Sequence, residues 1–492
     1  MRFVALTVVL VTEALNAGCM VGPDFHRPDA PNVNGYTKEP LPTQTVSASV
    51  TGGEAQRFEQ GQDIPGQWWK LFHSQALNAL IEQALKANPD VQVAQASLRL
   101  AMENVYAQMG FYYPAVQANF SPGRQRNAVD VISPTLTSGA AIFNLYTAQL
   151  NVSYMLDAFG GNRRQVESLN AQAESQRFQL EATYLTLTSN VVVAAVQEAS
   201  LREQFAATQK VIEIESEALE LFRRQYELGA IAMADVVAQE AALAQTRATL
   251  LPLRKQLAQQ RDLLARLVGG FPSEEPVERF ELSTLDLPHD LPVSLPSQLV
   301  EQRPDVRSAE AQLHAASAQI GVAIANMLPQ ISLGAGIGST AVQMSKLFTS
   351  NSEFWNATGS FTQTIFAGGT LLHRKRAAVA AMDQSAAQYR STVLTAFQNV
   401  ADVLRVLEYD ADAVQAQAAA ERAAVKSLQI ARESLALGAI SYLSLLNAQM
   451  TYQQAVVNLA QAQGNRYADT AALFQALGGG WWNRSDVVST QK

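Results

Sequence analysis

Apolar and polar residues alternate at every second position in four stretches of this chain. Along one of them Tyr146, Ala148, Leu150, Val152, Tyr154 and Leu156 are apolar, while the intervening Thr147, Gln149, Asn151 and Ser153 are polar and uncharged. Val116, Ala118 and Phe120 alternate with Gln117, Asn119 and Ser121 in the same way. So do Ile331, Leu333, Ala335 and Ile337 with Gln330, Ser332, Gly334 and Gly336. The fourth stretch sets Trp355, Ala357, Phe361 and Ile365 against Asn356, Thr358, Ser360 and Thr362. A period of two places successive side chains on opposite faces of a strand, so the pattern predicts strands near 113–121, 145–156, 329–338 and 354–366.

The rest of the pattern is helical and long. Gly161 to Leu228 contains no proline and is dominated by Gln, Ala, Glu and Leu, and Gly368 to Leu437 behaves likewise. At 1.5 Å per residue each predicts a helix of roughly 100 Å. Each run stops at Leu-Gly-Ala-Ile, where glycine can take the left-handed conformation that ends a helix. A second helix of about 60 Å then returns toward Gly269 or Gly478. Pro252 lies inside one return helix and is expected to kink it.

These elements occur twice. Asn88-Pro89-Asp90-Val91 recurs as Arg303-Pro304-Asp305-Val306 and Tyr113-Pro114 as Leu328-Pro329, both at a spacing of 215 residues. Leu228-Gly229-Ala230-Ile231 recurs as Leu437-Gly438-Ala439-Ile440, and Leu267-Val268-Gly269-Gly270 as Ala476-Leu477-Gly478-Gly479, both at a spacing of 209. The reading divides the chain into an N-terminal segment over 19–73, a first repeat over 74–270, a Pro-rich connection over 271–300, a second repeat over 301–480 and a tail over 481–492. The connection carries Pro272, Pro276, Pro288, Pro292 and Pro296 and reads as irregular surface chain.

Charge decides what the strands are for. An ordinary soluble sandwich carries Lys and Glu on its outer face, whereas the runs Asn104–Gly123, Val131–Leu156, Ala311–Ser345 and Phe354–His373 carry none. Apolar outside and polar inside is the pattern of a transmembrane β-barrel. A sheet in lipid must close, and four strands are too few, because the smallest such barrels have about eight. The chain must therefore oligomerise. Two copies would give eight strands and a filled interior, three would give twelve and an open lumen, and the polar inner face favours the open version.

Composition narrows the function further. Charged residues make up 16% of the 492 residues, with 36 Lys plus Arg against 44 Asp plus Glu and a net charge of −8. That balance disfavours nucleic acid, which needs a basic face. The single cysteine rules out an internal disulfide, and the five histidines, His26, His73, His289, His314 and His373, form no metal pair. No Ser/His/Asp or Cys/His constellation is present, so neither an enzyme, a metal site nor a cofactor is expected. Gly334-Ala335-Gly336-Ile337-Gly338 lies in an alternating strand without the helix and acid of a nucleotide loop. Arg2, the apolar run Phe3–Val11 and the small residues before Cys19 read as a secretory signal over 1–18 ending at a lipoprotein site, with acyl chains on Cys19. Met20 leaves the outer membrane as the default address. Arg163-Arg164 and Arg374-Lys375-Arg376 read as markers of the places where strands leave the membrane rather than as binding residues.

Several landmarks together resemble one family. Cys19-Met20-Val21-Gly22-Pro23-Asp24-Phe25 with Arg27-Pro28, Trp68-Trp69-Lys70-Leu71-Phe72, Leu291-Pro292-Val293-Ser294-Leu295-Pro296-Ser297, Arg303-Pro304-Asp305-Val306 and Ala476-Leu477-Gly478-Gly479-Gly480-Trp481 resemble those of the outer membrane factors, the TolC-like export ducts, in their lipoprotein branch. The resemblance spans nearly the whole mature chain. It implies a mixed α and β membrane protein in which four strands per protomer join a trimeric twelve-stranded barrel, continued by a long periplasmic α-barrel. It also implies partners: two further copies of the chain, outer-membrane lipid, a periplasmic adaptor that docks at the helical tips (Gly229, Ala230, Gly438 and Ala439), and an inner-membrane pump, commonly of the resistance-nodulation-division type.

By the same resemblance, an aperture lies beyond the tips. Asp235 stands at the family's acidic position six residues after Gly229, while the matching places after Gly438 hold neutral Ser444 and Asn447. Met450 replaces an arginine seen in close relatives, and Tyr442 and Leu443 match positions near the constriction. The implied function is passive export of small molecules. A polypeptide-secretion duct and a non-conducting periplasmic coiled-coil scaffold are the alternatives.

Overall fold

The computed structural model describes residues 20–126, 142–273 and 279–484. They fall into two units. Unit one gathers residues 20–27, 97–126, 142–176 and 309–389, and unit two the remainder. Cys19 and the signal segment lie outside the described residues.

In chain order the elements are β1 (Arg57–Gln60), α1 (Gln75–Ala87), α2 (Pro89–Met109), β2 (Ala115–Arg126), β3 (Ile142–Leu156), α3 (Gly161–Glu227), α4 (Met233–Leu267), β4 (Asp290–Val293), α5 (Pro296–Gln302), α6 (Pro304–Ala325), β5 (Gln330–Ala341), β6 (Glu353–Thr362), α7 (Thr370–Ala436) and α8 (Tyr442–Ala476). The duplication is exact in length where it matters. Both outgoing helices have 67 residues and both return helices 35, and β2 and β5 each have 12.

Unit one is built on an antiparallel sheet in the order β2-β3-β5-β6. The predicted strands are present, with adjusted ends. β6 stops at Thr362, four residues before the expected end at 366, because Thr362 pairs with Gln330, the first residue of β5, and Pro329 before it has no N–H to continue the ladder. Gln363 instead turns its amide onto the Met327 carbonyl, 3.1 Å away.

Unit two holds the helical hairpins from Arg177 and Arg390 onward, with both tips and both return helices, and the repeated Pro-Asp-Val motifs explain how each closes. The residue before each proline reaches the end of a return helix: Asn88 Nδ2 donates to the Leu267 carbonyl and Arg303 Nη1 to the Ala476 carbonyl, both at 2.8 Å. These carbonyls are among the last of a helix, which lack intrahelical donors. The glycines beside them are required by space as well. A Cβ at Gly269 would lie 2.6 Å from the Ala87 carbonyl oxygen, and one at Gly478 2.6 Å from that of Gln302. Pro252 lies within α4, as expected.

The Pro-rich connection differs from its reading as irregular surface chain. It contains β4, which pairs in parallel with β1, and α5, and it buries Phe280, Leu282, Leu285, Leu287, Leu291 and Val293. Prolines here punctuate short elements that cover unit two. The N-terminal segment is fastened to the same unit by Arg466, which is fully buried and donates to the carbonyls of Gly52 and Glu54 and to Thr45 Oγ1.

Candidate functional site

The two surfaces with functional potential are the faces of the sheet in unit one and the hairpin tips in unit two. Strand register sets the first. Residues paired across neighbouring strands share a face, so Ala118, Leu150, Ile337 and Trp355 form one continuous apolar row and Val116, Val152, Ala335 and Ala357 the next. Leu156, Ile331 and Phe361 extend this face toward the helices. On the opposite face Gln117, Asn151, Gly336 and Asn356 form a polar row, and Ser153, Gly334 and Thr358 another. The glycines of β5 make room for those side chains: a Cβ at Gly336 would lie 2.7 Å from Asn356 Oδ1 and 3.1 Å from Asn151 Oδ1.

The sheet is open. β2 and β6 each have one neighbour among the described residues, so each leaves one row of backbone N–H and C=O groups without a strand partner. In water such edges invite pairing, and in hydrocarbon they must be paired.

The tips repeat one backbone device. Gly229 and Gly438 have φ of +75° and +70°. The Gly229 N–H donates to Tyr226 and the Ala230 N–H to Gln225, each at 2.8 Å, and Gly438 and Ala439 donate to Leu435 and Ser434 at 2.9 Å. Paired bonds of this kind are the Schellman motif that closes a helix. Gly229, Ala230, Gly438 and Ala439 are all exposed, and a Cβ on either glycine would meet nothing within 4 Å.

Beyond the tips the side chains of the two copies diverge. Asp235 stands third in α4, and its Oδ2 accepts the Ala232 N–H at 3.3 Å, so the carboxylate caps the helix start. Ser444 holds the equivalent place in α8, where its hydroxyl pairs with Ser441 Oγ at 3.0 Å. Tyr442 is half-buried. Its ring meets Phe222 edge-on at 3.9 Å and its hydroxyl donates to Gln239 Oε1 at 2.7 Å. Burial, with the charges of Asp235 and Glu215 adding to it, pushes the Tyr442 phenol up.

The candidates thus separate into two groups. Asp235 and Tyr442 belong to a packed junction between α3, α4 and α8, whereas Ser444 is exposed at the start of α8 and Leu443, Asn447 and Met450 recur at i, i+4 and i+7 as an exposed stripe along it. Sequence reading missed the centre of the junction. Gln239 is fully buried and donates to the Glu215 carbonyl at 2.9 Å, and the Glu215 side chain is 1% exposed. Burial pushes the Glu215 carboxyl up, partly opposed by a hydrogen bond from Thr246. The signal was there: Val211, Glu215, Leu219 and Phe222 follow helical core spacing, with one acid in an apolar stripe.

Arg164 also departs from its reading as a marker of strand exit. It is 1% exposed and binds the N-terminal segment, donating to the Val21 carbonyl at 3.0 Å and to Asp24 Oδ1 and Glu167 Oε2, each at 2.8 Å. Gly22 crosses Gly321 so closely that a Cβ on Gly22 would lie 2.5 Å from the Gly321 Cα.

The pattern of the family described as Outer membrane efflux protein matches residues 80–270 and 295–479. The probable efflux pump outer membrane protein TtgC of Pseudomonas putida is 30% identical over 489 residues, 99% of this chain and 98% of that protein. The probable outer membrane lipoprotein SilC of Salmonella typhimurium is 29% identical over 481 residues, 94% of this chain and 96% of that protein. The solved outer-membrane channel OprN is similar with a TM-score of 0.83 at 28% identity, covering 94% of this chain and 100% of that one.

Proposed function

We propose a mechanism from one premise: the chain belongs to the outer membrane efflux protein family, and it is an outer-membrane exit duct of an efflux system. Three copies close their four-stranded sheets edge to edge into a twelve-stranded barrel, apolar rows toward lipid and polar rows toward an aqueous lumen. The open sheet with its two contrasting faces carries this reading. Neither edge can stay unpaired in a bilayer, and a polar, uncharged lining lets solutes of mixed chemistry pass without holding them.

The duct performs no chemistry of its own and takes its direction from a pump. The exposed tips at Gly229, Ala230, Gly438 and Ala439 offer the docking point for a periplasmic adaptor. Asp235, Tyr442, Leu443, Ser444, Asn447 and Met450 form the aperture, where the exposed stripe Leu443, Asn447 and Met450 faces the passage and the Tyr442–Gln239 bond holds the two hairpins together. TtgC is named for efflux, and drugs or toxic small compounds are the cargo proposed here. Acylation at Cys19 suits a chain whose next residue, Met20, packs against Gly160, four residues past the end of β3, since an anchor there would enter lipid beside the sheet.

Planar-bilayer recording of the purified protein tests the reading, together with its mass in detergent. Discrete conductance steps from a trimer are expected. A stable folded monomer with full β content, or a trimer without conductance, would overturn it and leave the scaffold reading.

A further inference from the structure

The two copies enter their long helices differently. In the first, Asp157 Oδ1 and Oδ2 accept the N–H groups of Asn162 and Arg163 at 2.9 Å, and the same carboxylate pairs with the Arg163 side chain. Arg164 is consumed by Asp24, Glu167 and two carbonyls. Every cation at that entry is neutralised from within the chain. In the second copy, at the helix-start spacing of 209 residues, Phe366 replaces Asp157. Arg374, Lys375 and Arg376 follow within the first two turns of α7, and no acidic side chain of the described residues pairs with them. Arg374 and Arg376 are exposed.

Beside these cations lies exposed apolar surface. Ile365 is 90% and Phe366 88% exposed, and Leu372 and Val379 flank Arg376 at i, i+4 and i+7 on α7. Gly368 and Gly369, both with positive φ, turn the chain between the apolar pair and the basic run. The apolar pair follows Phe361, the last β6 residue of the apolar face, by four and five residues along the chain. Exposed apolar side chains next to cations that can reach upward along their own methylene stems are the makings of a bilayer interface.

We infer that the β6–α7 junction of the second copy binds anionic phospholipid of the periplasmic leaflet, with Ile365 and Phe366 entering the acyl region and Arg374, Lys375 and Arg376 holding the phosphate groups. The inference rests on the reading of the sheet as a membrane wall, which puts the helix end of every strand on the periplasmic side. Charge complementarity names the occupant. Three cations with no acidic partner among the described residues, beside exposed apolar side chains, suit an anion that is itself attached to hydrocarbon. The first copy offers no such site because its arginines are already satisfied.

The test is lipid retention. Full-length protein is reconstituted into nanodiscs of phosphatidylethanolamine with a minor fraction of phosphatidylglycerol, extracted in mild detergent, and its retained lipid measured by native mass spectrometry. The unsubstituted protein is expected to retain phosphatidylglycerol with a preference of roughly fivefold or more over its share of the bilayer. The triple variant Arg374→Gln/Lys375→Gln/Arg376→Gln should lose that preference while inserting normally. The variant Arg422→Gln/Lys426→Gln/Arg432→Gln, equal in charge but near the tip of the same helix, should keep it. Equal retention of both lipids by inserted protein, or a preference that survives the first triple variant, would overturn the inference alone. Removal of the preference by inorganic phosphate would overturn it in favour of a free-anion site. Failure of the unsubstituted protein to insert would overturn the membrane reading, and this inference with it.

Discussion

The first and second copies build the same hairpin, 67 residues out and 35 back, on the same glycine-closed tip, and then dress it in different charge. Asp157 at the entry of the first copy corresponds to Phe366 in the second. Buried Glu215 corresponds to buried Ala424, and Asp235 beyond the tip to Ser444. At each of these places the first copy carries the acid and the second a neutral residue. Backbone geometry is under common constraint because both hairpins must run the same distance and turn at the same level. Side-chain charge is free to differ, since each copy presents its ends to different surroundings.

The largest expected effect breaks the comparison at the helix entry. Arg164→Met removes a buried cation and leaves the Val21 and Gly22 carbonyls without their donor, while exposed Asp24 is taken up by water and Glu167 keeps His314, and a loss of roughly 1–3 kcal/mol is expected, read as a drop of a few degrees in thermal midpoint. His373→Ala, at the corresponding position of the second copy, should change stability by no more than about 0.5 kcal/mol. Comparable losses at both sites would mean that the entries are alike after all.

At the tips the copies should instead behave identically. Gly229→Ala and Gly438→Ala each force a side chain to positive φ in open space, where the penalty is conformational only, about 1 kcal/mol apiece. Melting of the two variants side by side checks the equality. A difference larger than about 1 kcal/mol would show that one tip bears packing the other lacks.

The buried acid of the first copy gives a pH signature that Ala424 cannot. Below the ordinary carboxyl value of 4.5, Glu215 is protonated whether the chain is folded or not. Above it the unfolded chain releases the proton while the buried carboxyl retains it, so stability falls as pH rises from that value to the raised one. Glu215→Gln should flatten this part of the stability–pH curve and raise stability at neutral pH, as measured by thermal melts across pH. An unchanged slope would place the titrating group elsewhere.

How much of this was readable beforehand depended on how far apart in sequence the partners lie. The strands could be read from a local rule, period two without charge, and the register then placed Ala118, Leu150, Ile337 and Trp355 in one row as that rule requires. The tips could be read because Leu-Gly-Ala-Ile ends a helix through its own backbone. The junction could not, since the partner of Tyr442 is Gln239, 203 residues away, and nothing near either residue announces the other. The Pro-rich connection misled for a related reason: proline forbids long elements, but β4 needs only four residues and a partner, which β1 supplies from 233 residues earlier. Arg164 read as a surface charge because the segment that buries it, Val21 to Asp24, lies about 140 residues before it.

The smallest effect on stability carries the sharpest functional test. Asp235→Ala removes a carboxylate that caps α4 through one 3.3 Å bond, a loss of about 0.5–1 kcal/mol at most. If Asp235 lines the aperture, a trimer presents three carboxylates there, and Ser444 and Asn447 add none. Divalent cations bind carboxylate oxygens, and a ring of them also draws cations into the passage. Single-channel current should therefore show weak divalent block and weak cation selectivity, most of which disappears with Asp235→Ala. Ser444→Asp gives the second copy the acid that the first already has at the same helix position, and should strengthen both properties above those of the unsubstituted channel. Strong divalent block that survives Asp235→Ala would mean that the acid serves only to cap its helix and that another part of the duct sets the current.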